Sequence, residues 1–118
     1  MRTLCFNGKF GYKSDTTYDG LIVFCHFDPS DNEKILTKAA KSLIKLQSNK
    51  QIILVPFVHL DTLVAEPKIA DALFSFFGKT MEELSQTPII RVPFGITKEF
   101  NLYAPANDEA IKFRRFTH

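Results

Sequence analysis

The sequence predicts a layered α/β domain, a mixed sheet covered by two helices, and three observations predict it. GLIVFCHF at 20–27 and QIILVPF at 51–57 are apolar runs of strand length, the pattern of strands buried on both faces. Between them, DPSDNEKILTKAAKSLIKLQSN repeats Ile35, Leu36, Ala39, Ala40, Leu43 and Ile44 at the spacing of one helical face. A second helical stretch, EPKIADALFSFFG, is followed by more strand-like sequence, so strands and helices alternate as in a sheet with covering helices.

Taken in order, residues 1–6 form a first strand, and NGKFGYKSDTTYDG adds a more exposed hairpin-like strand with turn signals at both ends. The buried strand 20–27 follows. Ser30 with Glu33 reads as a capping box that starts the first helix. After strand 51–57, Pro67 opens the second helix and Gly78 marks a plausible stop. Thr80 and Glu83 then cap a further short helix, or the whole stretch is one helix with a glycine inside it. PIIRVPF and ITKEFNLY supply two more strands with Gly95 as the bend, and a short tail closes the chain.

A chain of 118 residues is expected to form one domain, 1–118, around one core. No apolar run approaches the roughly 20 residues of a membrane helix, so no membrane partner is expected. The start MRTLCFNGKF lacks the apolar core of a signal peptide, which gives a cytoplasmic expectation. Cys5 and Cys25 sit in apolar strands as buried free thiols, without a CxxC. The absence of a Gly-rich phosphate loop excludes a nucleotide-binding Rossmann unit, and no His/Cys cluster or HExxH suggests a metal. No cofactor is expected.

Lys98 draws attention because strand alternation puts it on the apolar face with Ile96, Phe100 and Leu102. A lysine held there loses hydration, which suits proton handling near neutral pH. The other reading is a strand-end lysine whose stem snorkels to water. His59 follows Val-Pro-Phe at the end of a buried strand, where α/β sheets place ligands; it is a catalyst or a structural donor. Asp61 is either an N-cap or a partner of His59, and His26 reads as structural. With no GxSxG and no base beside either cysteine, water is the expected nucleophile of any hydrolysis. Lys34, Lys38, Lys41 and Lys45 form a ridge on the first helix, either an ordinary solvated face or a phosphate track. In IKFRRF, Arg114 and Arg115 interleave with aromatics, either to hold RNA or within a terminal strand or dimer contact.

Together, PFVHL, AEPKIADAL and PFGITKEF resemble the N-terminal editing domain of archaeal threonyl-tRNA synthetases, a family sharing its fold with D-aminoacyl-tRNA deacylases. The resemblance covers nearly the whole chain. It implies a D-aminoacyl-tRNA deacylase-like fold and hydrolysis of the ester joining a wrongly attached L-serine to threonine tRNA. It also implies a homodimer, tRNA as partner, and a chain that is part of or partner to the synthetase. By the same resemblance Lys98 and His59 lie beside the scissile ester, and Pro56, Phe57, Val58, Phe94, Gly95 and Thr97 line the tRNA 3′ end.

The family pattern is not met everywhere. Thr97 stands where the family usually has an aromatic residue, and Asn7 where a histidine often ends the first strand. The family glutamate beyond the lysine falls on Glu109, with Asp108 adjacent, only if a gap is allowed; without one it falls on Ile111. Two other readings stand beside the primary one. One is a deacylase for D-amino acids; the other is a non-catalytic module binding a tRNA end or a protein.

Overall fold

In the computed structural model, which describes residues 1–13, 16–46, 51–94, 101–105 and 111–117, the expected mixed sheet with two helices is present. Its strands are β1 (Arg2–Lys13), β2 (Thr16–His26), β3 (Gln51–Pro56), β4 (Ile89–Arg91), β5 (Asn101–Tyr103) and β6 (Ile111–Arg115). Its helices are α1 (Glu33–Ile44) and α2 (Pro67–Leu84). The strand order is β4-β3-β2-β1, with β5 and β6 sharing the far edge of β1. β2, β3 and β4 run parallel, and β1 is antiparallel to β2, β5 and β6.

Two sequence expectations are corrected, and two open alternatives are decided. The segment assigned to two strands, 1–6 and the following hairpin, is the single strand β1, joined to β2 in one long hairpin. Residues 7–13 lack continuous apolar character because Asn7 and Lys9 face solvent while Phe10 is fully buried, an alternation that still makes a strand. Second, α1 is capped by Asn32, whose Oδ1 accepts from the Ile35 amide at 3.0 Å. Ser30 instead gives its amide and hydroxyl to Asp28 Oδ1, at 2.8 and 2.6 Å. That turn already occupies Ser30, which leaves capping to the next suitable oxygen.

Third, Gly78 lies inside α2, so the one-helix reading of this stretch holds. A Cβ at residue 78 would come within 2.6 Å of Arg91 Cδ. The missing side chain lets the Arg91 stem cross the helix and bond Glu82 Oε1 through Nε and Nη2, at 2.8 and 2.7 Å. Fourth, the tail is a paired edge strand, β6, of which Arg114 lies opposite Thr3 and Arg115 opposite Arg2.

Both helices cover one face of the sheet. Ile35, Leu36, Ala39, Ala40 and Leu43 of α1 and Phe74, Phe77 and Met81 of α2 pack on Cys5, Leu21, Val23, Cys25, Ile52 and Leu54. The other face buries Phe6, Phe10, Ile22, Phe24, Ile53, Val55 and Val92. The alternation along β2 and β3 assigns each residue to its face. Among the described residues no helix is long and apolar enough to cross a membrane. Cys5 and Cys25 are buried free thiols, as expected.

Candidate functional site

Val-Pro-Phe occurs twice in the sequence, at 55–57 and at 92–94, and the repeat has a structural origin. β3 and β4 pair in parallel with Ile52 opposite Ile89, Ile53 opposite Ile90 and Leu54 opposite Arg91, an offset of 37 residues in each case (89 − 52 = 37). The same offset aligns Val55-Pro56-Phe57 with Val92-Pro93-Phe94. The ladder continues one step, with the Val92 amide donating to the Leu54 carbonyl at 2.9 Å. Pro56 then has no N–H to offer β4, so the ladder ends and the exits part. Phe57 turns onto the face opposite the helices, its ring centroid 5.1 Å from Phe24, while Phe94 turns toward α2, 6.3 Å from Phe74. Both exits therefore open at the carboxyl ends of adjacent parallel strands, where α/β sheets bind ligands.

His59 stands at the mouth of the β3 exit. Its exposed imidazole meets the Phe57 ring edge to face, with centroids 5.2 Å apart. Val58 is exposed and Pro56 and Phe57 are half-buried. Neither the Val58 nor the His59 amide donates to a described residue. Two such successive N–H groups beside an imidazole can bind an oxyanion or a polar edge of a ligand.

The loop that carries His59 is held from beneath by a pair of residues that the sequence reading did not bring together. Arg2 and His26 lie directly opposite each other on β1 and β2, with exposures of 7% and 0%. The Leu60 amide donates to His26 Nδ1 at 3.3 Å, and His26 Nε2 lies 2.7 Å from the Leu63 carbonyl. A carbonyl can only accept and an amide can only donate, so the hydrogen is on Nε2 and both ring nitrogens are used. Arg2 Nη2 pairs with Asp61 at 2.5 Å, and Arg2 Nη1 with Asp28 at 2.9 Å.

Neither reading of Asp61 holds: its carboxylate pairs with Arg2, and the N-cap of α2 is Glu66. Amides of Leu63 and Thr62 also donate to Asp61, and with Arg2 they hold its carboxyl below the ordinary range. At Asp28, burial opposes ionisation, but the Ser30 hydroxyl and amide, the amino terminus and Arg2 outweigh it and lower the carboxyl to about 2. Asp31 also pairs with the amino terminus. The Phe57 amide to the Cys25 carbonyl, at 2.9 Å, and the Ala65 amide to the Phe27 carbonyl, at 3.0 Å, fasten the two ends of the loop.

Gly95, Thr97, Lys98, Asp108 and Glu109 lie outside the described residues, so of the two central side chains the structure places His59 alone. Phe94 brings the chain to the β4 exit four residues before Lys98. Asn7 is not near His59; it joins Gly8, Lys9, Asp19, Gly20, Tyr103 and Pro105 around a hollow of about 310 Å³ toward the amino ends of the parallel strands. Arg114 points to the helical side and donates to Ser42 Oγ at 3.0 Å, while Arg115 is exposed. Among the described residues no group of His, Cys, Asp and Glu is placed to hold a metal ion.

A family described as the archaea-specific editing domain of threonyl-tRNA synthetase matches residues 6–114. The chain belongs to this family. Membership ties it to proofreading in translation. Similar curated proteins include the threonine–tRNA ligase of Staphylothermus marinus, 31% identical over 85 residues, 70% of this chain and 14% of that protein. Another is the threonine–tRNA ligase of Methanosphaerula palustris, 27% identical over 94 residues, 75% of this chain and 15% of that protein. The chain thus spans about one seventh of the length of these relatives. Both matched exits fall within the family region.

Proposed function

We propose that this domain hydrolyses the ester of mischarged L-seryl-tRNA(Thr), with the tRNA 3′ end seated between the β3 and β4 exits. The observation that carries this reading is the in-register pair of Val-Pro-Phe exits in a member of the editing-domain family. His59 orients substrate or water, and Lys98 positions water and stabilises charge developing on the acyl oxygen. The amides of Val58 and His59, which donate to no described residue, add donors for that oxyanion or for the terminal adenosine. Pro56, Phe57, Val58, Phe94, Gly95 and Thr97 line the 3′ end, and Glu109 lies toward the tRNA. Serine lacks one methyl group of threonine, so a synthetic site rejects it by only about 10- to 200-fold. A second, hydrolytic site supplies the remaining discrimination.

The domain acts in the cytoplasm as part of, or partner to, a threonyl-tRNA synthetase, and pairs as a homodimer. Leu102, Ile111 and Phe113 support the pairing: they are 49%, 56% and 55% exposed on edge strands and lie on one face, opposite Phe10, Phe6 and Leu4. Deacylation of L-Ser-, L-Thr- and D-aminoacyl-tRNA(Thr) tests the substrate. Preferential clearance of L-Ser-tRNA is expected; preferential clearance of the D-aminoacyl ester, or tight binding without hydrolysis, refutes it.

A further inference from the structure

A groove of about 650 Å³ runs along α1, lined by Glu33, Lys34, Lys38, Lys41, Lys45 and Phe76. The four lysines are exposed, and none forms an ion pair with a described residue. Lysines three or four positions apart on a helix rise about 4.5 to 6 Å per step, a ladder suited to successive phosphates on one strand. Beside it, Ser42 holds the Arg114 guanidinium at 3.0 Å, and Lys112 lies on the same face of β6. Six cations thus gather on one side of a chain whose net charge is only +2. Glu33, in the first turn of α1, is the acid of that lining. The groove starts at the end of the sheet where β2 and β3 exit, and α1 carries it away over 12 residues, roughly 18 Å.

We propose that this groove is a track for an RNA sugar-phosphate backbone, guiding the acceptor stem while its 3′ end occupies the β3–β4 exits. The inference rests on the reading of tRNA as substrate and adds where the duplex lies. Binding here is independent of base sequence and sensitive to salt, because each neutralised phosphate releases counterions.

The test titrates unacylated tRNA(Thr) against wild type, the triple Lys34→Ala/Lys38→Ala/Lys41→Ala variant and the matching triple arginine variant, across a salt series. In parallel, the seryl ester of a CCA trinucleotide, which has no acceptor duplex, reports on hydrolysis. The alanine variant is expected to bind tRNA more weakly, with the slope of log affinity on log salt reduced by about 3, while arginine retains binding. Trinucleotide hydrolysis is expected to stay at the wild-type rate in all three proteins. Unchanged tRNA affinity and slope in the alanine variant overturn the groove. Equal weakening toward polyglutamate overturns RNA as its occupant. Normal tRNA binding by wild type with no ester hydrolysis overturns the editing reading and leaves the groove standing.

Discussion

Replacing His26 by leucine tests whether the floor of the loop sets the position of His59. The imidazole is fully buried and both of its nitrogens are bonded, to the Leu60 amide and the Leu63 carbonyl. Leucine fills much of the ring volume but satisfies neither group, and each polar group left dry costs about 1–3 kcal/mol. Leu63 is 62% exposed, so its carbonyl can turn to water, and the total falls near 2 kcal/mol rather than the sum of two full penalties. Urea denaturation reads that loss. Activity falls further than stability does, because a displacement of about 1 Å at a reacting group costs on the order of 100-fold. Single-turnover deacylation of Ser-tRNA(Thr) by folded His26→Leu is expected to slow by about that factor. His26→Gln, whose amide can still donate to the Leu63 carbonyl, recovers part of the rate. A His26→Leu protein that loses stability yet deacylates at the wild-type rate would refute the positioning argument.

Three further outcomes follow from buried groups. Asp28 has a folded pKa of about 2, below its ordinary 3.8, so its stabilisation is complete above about pH 4 and disappears as pH falls toward 2. Asp28→Asn should abolish roughly 2 kcal/mol of that acid dependence, read from urea midpoints between about pH 2 and 5; an unaltered pH profile contradicts the assignment. Burial pushes the Cys5 thiol up to about 11 and Cys25 well above the ordinary range, so iodoacetamide should modify neither in the native protein and both in urea. Gly20→Ala should destabilise by about 1–3 kcal/mol, because its Cβ would lie 2.1 Å from the Gln51 carbonyl oxygen across the β2–β3 pair. A urea midpoint equal to wild type excludes that close approach.

The central architecture is legible in the sequence where period and burial agree. GLIVFCHF, QIILVPF and the apolar face of α1 need no tertiary information to be placed. The length of β1 was not legible, because Asn7, Gly8 and Lys9 interrupt the apolar pattern at a strand whose helix-side face is solvated there. That error hid the register, and with it the opposition of Arg2 and His26. Each looks like an isolated polar residue in an apolar run until the hairpin brings them together. The two exits were legible as a repeated Val-Pro-Phe, but their meaning was not: only parallel pairing at an offset of 37 residues makes the repeat a pair of neighbouring strand ends. Asn32 capped α1 in place of Ser30 because a local turn had already taken the serine. The family match, residues 6–114, covers the two exits that the motifs had singled out.

The central claim is that the β3 and β4 exits deliver His59 and Lys98 to one seryl ester. Its most direct test is single-turnover deacylation of L-Ser-tRNA(Thr) by wild type and by Lys98→Met and His59→Ala. Lys98→Met keeps most of the length of the side chain and removes its charge. The account predicts near-complete loss of hydrolysis in Lys98→Met and a substantial loss in His59→Ala, with both proteins folded. Clearance of Ser-tRNA by Lys98→Met at the wild-type rate would contradict it.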